Sequence, residues 1–169
     1  MKKILTVLLT LLSLNIFSQS KFEIDIFNEV NKLRIDPKSY IPNIQKFKKY
    51  KQSIKSSVDW TSECDSTIKF LETCNSVDSL EFNQFFYTKL DSFDFKGEHT
   101  NIFPKNGSEN IQMNSDRISA TDVIVYLLID FNNKSKGHRL NLLNCNFSQT
   151  SIREYVYDNN IYYVEIFLP

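Results

Sequence analysis

The chain has 169 residues, with 20 Lys and Arg against 20 Asp and Glu, so its formal net charge is zero. That balance gives no electrostatic case for a nucleic-acid partner. The one local run of base, Lys46, Lys48, Lys49, Lys51 and Lys55, reads as a solvated face.

At the start, Lys2 and Lys3 precede a run from Ile4 to Phe17 that only Thr6, Thr10, Ser13 and Asn15 interrupt, and Ser18-Gln19-Ser20 supplies small residues for cleavage. This is the pattern of a secretory signal peptide over residues 1–19, cleaved within 18–20. The run is broken by polar residues and shorter than the ~20 apolar residues of a spanning helix, and no later segment is apolar enough to span. Residues 20–169 then form one domain, expected to be secreted or periplasmic. Loss of Lys2 and Lys3 leaves 18 basic groups against 20 acidic ones, a net charge of −2. No cysteine lies near the cleavage point, so lipid attachment is not expected.

The first predicted helix runs from Phe22 to Arg34, where Phe22, Ile26, Phe27, Val30 and Leu33 recur at helical spacing and Asp36-Pro37 stops the pattern. A second short helix is predicted over Tyr40 to Tyr50, beginning near Pro42. Ser56 to Cys64 reads as a loop, and Ile68, Leu71 and Cys74 indicate another short helix. Leu80 to Leu90 reads as a further helix, whose Phe and Tyr residues are assigned to the core. Asp122 to Phe131 is the strongest helix of the second half, capped by Ser119 or Thr121 and ended by Asn132-Asn133. The period then changes: Ile152 to Tyr157 and Ile161 to Phe167 are β-branched and aromatic runs around Asp158-Asn159-Asn160, the pattern of a β-hairpin. Together these predict a mixed α+β domain with an antiparallel sheet.

Cys64, Cys74 and Cys145 remain after export, and an oxidising compartment permits one pair plus a free thiol. On one continuous helix Cys64 and Cys74 would stand about 15 Å apart along the axis, too far to pair, so that bridge requires a turn between them. The pairing is left open.

All three glycines and both histidines fall between Gly97 and His138, in the strings Gly97-Glu98-His99, Gly107-Ser108-Glu109-Asn110-Ile111 and Gly137-His138-Arg139. A chain this sparing with glycine is expected to keep it where the backbone needs positive φ or close approach. Two imidazoles and two carboxylates, His99, His138, Glu109 and Asp130, suit either of two jobs. They can make an open divalent-metal site with one carboxylate orienting a histidine, or pass protons without metal. Plainer roles stand beside these. His138 would start a helix behind Gly137, Glu109 and Asn110 would satisfy backbone groups around a turn at Gly107, Asp130 would be a polar residue at a helix end, and Arg139 would pair with a carboxylate. A negative charge at a helix C-terminus opposes the helix dipole and calls for a further reason.

The order and spacing of these strings resemble the CAP superfamily, the secreted cysteine-rich, antigen and pathogenesis-related domains. Asn28-Glu29-Val30-Asn31-Lys32-Leu33-Arg34 with Asp36-Pro37 and Tyr40 is similar to the family's opening helix. Ser108-Glu109-Asn110-Ile111 resembles its Gly-Glu-Asn-Ile motif, and Gly137-His138-Arg139-Leu140-Asn141-Leu142-Leu143-Asn144 its Gly-His-Arg-x-Asn-Ile-Leu signature. Leu128-Ile129-Asp130 fits a bacterial branch. The resemblance covers about Phe22 to Phe167 and departs at Ser108, where the motif has glycine, at Ser151-Ile152, and at Asp130, where an Asp replaces Glu.

The resemblance implies a three-layer α-β-α sandwich with a central antiparallel sheet. It also implies a groove lined by His99, Glu109, Asp130 and His138, with Zn²⁺ or another divalent metal as the candidate cofactor and Asn110, Arg139 and Asn141 as structural residues of the motifs. The family has no single reaction. The leading expectation is a secreted binding or interaction module for a protein, lipid or small-molecule ligand, without nucleic acid. Its alternatives are a metal-assisted hydrolase with Glu109 or Asp130 as general base, and a structural domain with a degenerate site.

Overall fold

The computed structural model describes residues 19–54, 58–131 and 133–169; the expected leader lies almost wholly outside them. Helix α1, Lys21–Ile35, opens with a capping box in which Ser20 and Glu23 satisfy each other's backbone N–H groups, and it buries Ile26, Val30 and Leu33. Asp36, forced out of the helical region before Pro37, ends it, and a single 3₁₀ turn, Pro37–Tyr40, leads into α2, Ile41–Ser53.

Helix α3 spans Trp60–Thr73, so the loop expected over Ser56 to Cys64 is helical from residue 60. Asp59 caps it by accepting the Ser62 N–H, and Cys64, Thr67 and Leu71 form its buried stripe. Because α3 runs unbroken from Cys64 to its C-cap at Cys74, those two cysteines cannot pair, and all three thiols are free. Burial pushes the Cys64 thiol up to about 11. The helix expected over Leu80 to Leu90 divides into strand β1, Glu81–Phe82, and α4, Gln84–Asp91. The division falls at Asn83, whose side chain accepts the Phe86 N–H and starts the helix there, while its own N–H is donated to the Thr150 carbonyl.

Strand β2, Ser108–Asn114, follows, then α5, Ala120–Ile129, capped by Ser119 and buried on nearly every face. After α6, Gly137–Leu142, come β3, Gln149–Tyr157, and β4, Asn160–Leu168. The turn between them is two residues long. Asp158 and Asn159 both have positive φ, 47° and 58°, as the tight primed turn requires, and Asn160 already pairs with Tyr157.

The fold is α+β, with one sheet in the order β1-β3-β4-β2. The sheet is mixed rather than wholly antiparallel: β3 with β4 and β4 with β2 are antiparallel, but β1 adds to β3 in parallel. The chain enters β1 from α3 and leaves through α4 instead of a hairpin. Alternation along β4 sends Tyr163 and Phe167 into a large core shared with α1, α2, α3 and α5. Tyr162, Val164, Ile166 and Leu168 face a smaller cluster with Leu90 and Phe95. No helix among the described residues is long and apolar enough to cross a membrane.

Candidate functional site

Edge strand β2, the loop that precedes it and the junction of α5 with α6 position the four site candidates. The structure brings them together as two acid–imidazole pairs. His99 Nδ1 lies 2.7 Å from Glu109 Oε1, and His138 Nδ1 lies 2.9 Å from Asp130 Oδ1.

Glu109 is set by register. It pairs with Ile166 of β4 while its neighbour Asn110 pairs with Glu165, so the two side chains leave opposite faces of β2. The buried Glu109 carboxylate accepts the Thr100 N–H at 3.1 and 3.2 Å and the Thr100 hydroxyl, in addition to meeting His99. Its environment is full, while the His99 side chain is 61% exposed. On the other face Asn110 Oδ1 accepts from Asn141 Nδ2 at 2.8 Å and Asn110 Nδ2 donates to the His138 carbonyl at 3.2 Å. These bonds pin α6 to the strand. The close approach that the glycines suggested is real at Gly107, where a Cβ would come within 2.9 Å of the Phe167 carbonyl. Gly137 needs neither positive φ nor tight space, and the left-handed residue is its predecessor, Lys136.

Asp130 terminates α5 in the left-handed conformation, φ 49°, which swings its carboxylate toward α6. There it accepts the His138 N–H at 3.0 Å and Asn133 Nδ2 at 3.1 Å as well as holding the His138 ring. Burial pushes this carboxyl up, but the hydrogen bond and charge of His138, with the Asn133 bond, outweigh it and hold Asp130 below the usual range. The conflict between an acid and a helix C-terminus is resolved by two cations. Lys136 Nζ donates to the Asp130 carbonyl at 3.0 Å and pairs with Glu63 at 2.7 Å. Arg139 donates to the Leu128 and Ile129 carbonyls and to the Thr67 hydroxyl, so it closes the end of α5 instead of making the expected carboxylate pair.

His138 is more enclosed than His99, with its side chain 26% exposed. With Asp130 it borders a cavity of about 490 Å³ whose other walls include Trp60, Gln112, Tyr126 and Phe131. His99 and Glu109 do not line it. The arrangement fixes each imidazole through Nδ1 and leaves Nε2 as the nitrogen that can meet a ligand.

The residues do not fit a protein-held metal site. Each carboxylate is committed to its histidine and to backbone donors, so the two pairs offer at most one Nε2 each, short of the three protein ligands of an open zinc site. Among the described residues no group of three or more His, Cys, Asp or Glu side chains is placed to hold an ion. Thr100, Asn133 and Lys136, which hold these pairs in place, were not found by sequence reasoning. Lys136 carried the one usable signal, as a cation just before a histidine motif and beyond a helix end.

Comparison with protein-family models, with characterised proteins and with solved structures gave no match.

Proposed function

We propose that this chain is a secreted, CAP-like binding module that takes its ligand in the cavity beside His138 and Asp130. The observation that supports this reading most is the pairing itself. The four residues singled out by resemblance come from separate segments, and each acid meets one imidazole through Nδ1, at 2.7 and 2.9 Å. On this reading the sheet and helices form the family's α-β-α sandwich, residues 1–19 are removed at export, and the product is secreted or periplasmic.

His138, held by Asp130 through Nδ1, borders a cavity whose walls include Trp60, Tyr126 and Phe131 together with Gln112. That suits a ligand with an apolar body and a hydrogen-bonding group. Because His138 is the one imidazole that borders this cavity and Asp130 is committed to it, no step is assigned to a metal. The sequence-based expectation of a divalent ion is tested by mass spectrometry of purified protein with and without added Zn²⁺.

The decisive experiment screens peptides, esters and lipids for both binding and turnover, with His138→Ala as control. Binding without turnover that disappears in His138→Ala supports the module. Turnover of any substrate replaces it with a hydrolase, and binding unchanged in the variant refutes the assignment of the cavity.

A further inference from the structure

A separate cluster of side chains, outside the two histidine pairs, lies where α2, α3 and α5 meet. Phe47 and Tyr50 of α2, Trp60 at the start of α3 and Tyr126 of α5 bring four rings together. Phe47 stands edge-on to both Trp60 and Tyr126, with centroids 5.6 and 5.1 Å apart. Into this group Lys51 sends its ammonium. Nζ lies 4.8 Å from the Trp60 centroid, 5.1 Å from Phe47, and 5.6 Å from both Tyr50 and Tyr126.

Among the described residues Lys51 makes no ion pair, whereas Lys48, on the same helix, meets Asp65 at 2.6 Å. The Lys51 charge is therefore accommodated by aromatic faces, whose negative quadrupoles attract a cation without a counter-charge. Access exists beside it. A cavity of about 560 Å³ is bordered by Phe47, Tyr50 and Tyr126, with Lys46 and Asp122 also among its walls, and Lys51 and Trp60 border a smaller one of about 190 Å³ together with Asp59.

We propose that this aromatic cluster is a recognition site for an organic ammonium group, quaternary or N-methylated, with Lys51 as a resident cation that the ligand displaces into solvent. The inference goes beyond the binding site proposed at His138, with which it shares Trp60 and Tyr126 as walls, so the response at position 51 and not quenching of Trp60 alone separates the two sites. Lysine is a poor permanent occupant, since a primary ammonium is compact and strongly hydrated and regains that hydration when it leaves. An N-methylated cation gives up less hydration and presents methyl groups to the ring walls. Lys51 lies in the last turn of α2, so its stem can swing away while the helix stays intact.

Trp60 is the chain's only tryptophan, which makes the site readable by fluorescence. The processed protein and its Lys51→Met and Lys49→Met variants are titrated with tetramethylammonium and with choline. The neutral choline isostere 3,3-dimethylbutan-1-ol and sodium chloride serve as controls. Lys49 is an exposed lysine on the same helix and controls for the loss of one charge. If Lys51 fills the cluster nine-tenths of the time, its removal tightens choline binding about tenfold, while Lys49→Met does not. Thermal unfolding establishes that each variant is folded, and Lys51→Gln replaces Lys51→Met if the latter is not. Saturable quenching by the two cations alone, strengthened only at position 51, supports the site. An equal response to the neutral isostere, equal effects of the two lysine variants, or no saturable change in the folded Lys51 variant overturns it.

Discussion

Glu165→Gln isolates one of the least expected features of the core. Glu165 lies on β4 between the buried Val164 and Ile166 and is itself 3% exposed. Oε1 receives the Thr150 hydroxyl at 3.2 Å, but that hydroxyl also lies 2.8 Å from the Ile166 carbonyl, and Oε2 has no hydrogen-bond partner among the described residues. A neutral carboxyl removes the competition, because its own proton can be donated to Thr150. Burial pushes Glu165 up to about 8 from 4.5, against smaller opposing effects of the Thr150 bond and the Arg34 charge.

Between those two values the native state keeps a proton that the unfolded chain has released. This contribution to stability is therefore complete below the unfolded value, falls as pH rises, and is gone above about 8. The slope is about 1.4 kcal/mol per pH unit and the full span is about 5 kcal/mol. Urea unfolding from pH 5 to pH 9 reads it as the difference between wild type and variant, in which the slopes of other groups cancel. At pH 5 the glutamine variant is expected to be about 1 kcal/mol less stable, since its new amide donors need partners. By pH 8 it is expected to be more stable than wild type by about 3 kcal/mol. Parallel stability curves for the two proteins would show that Glu165 ionises in the native core without penalty, and the reasoning would fail.

Asp130→Asn keeps the left-handed backbone accessible but removes the ionised acceptor of three hydrogen bonds, so a loss of about 1.5–3 kcal/mol is expected at neutral pH. Because Asp130 titrates below its ordinary value, its contribution is present at neutral pH and fades as pH falls through the native value; wild type and variant should converge in acid, which urea titrations at low pH will read. Arg34→Met should cost about 4 kcal/mol or prevent folding, measured by thermal melts, since the Arg34 guanidinium donates to the Asp78, Leu142, Asn144 and Phe147 carbonyls in the interior. Asn159→Gly places the preferred residue in the second position of the hairpin turn and should stabilise by about 0.5 kcal/mol, seen as a higher denaturation midpoint. Gly107→Ala should cost about 1–3 kcal/mol in the same assay, because its Cβ meets the Phe167 carbonyl at 2.9 Å.

Helix α1 and the β3–β4 hairpin were legible in the sequence because each carries its period on its surface: Ile26, Val30 and Leu33 on one side, β-branched and aromatic runs around a turn on the other. Strand β2 was not. Its residues, Ser-Glu-Asn-Ile-Gln-Met-Asn, are mostly polar, and only the sheet edge and the groups that receive those side chains make a strand of them. The start of α3 was hidden for the opposite reason. Asp59 is an ordinary helix cap, but the polar residues around it read as loop until Cys64, Thr67 and Leu71 are seen as one buried stripe. At the site, the residues were legible and their partners were not, because Thr100, Asn133 and Lys136 reach the two acids only through the loop and helix-end conformations that place them, which a spacing argument does not supply.

The dipeptide Glu109-Asn110 shows why so polar a strand is held so firmly. Successive residues of a strand leave opposite faces, so one peptide unit serves both histidines: Glu109 fixes His99 on one side and Asn110 fixes the α6 carbonyl of His138 on the other. A slip of one residue between β2 and β4 would exchange the two side chains. The Glu109 carboxylate would then face the buried Glu165, and Asn110 would face Thr100. The hydrophobic pattern of β2 is too weak to forbid that slip. The close seat of Gly107 against the Phe167 carbonyl and the Asn110–Asn141 bond are what oppose it. Gly107→Ala should therefore disturb both histidine pairs at once, whereas His138→Ala should leave the His99–Glu109 contact in place. Imidazole resonances of the two variants, recorded by NMR, separate these outcomes, and an undisturbed His99 signal in Gly107→Ala would show that register is set elsewhere.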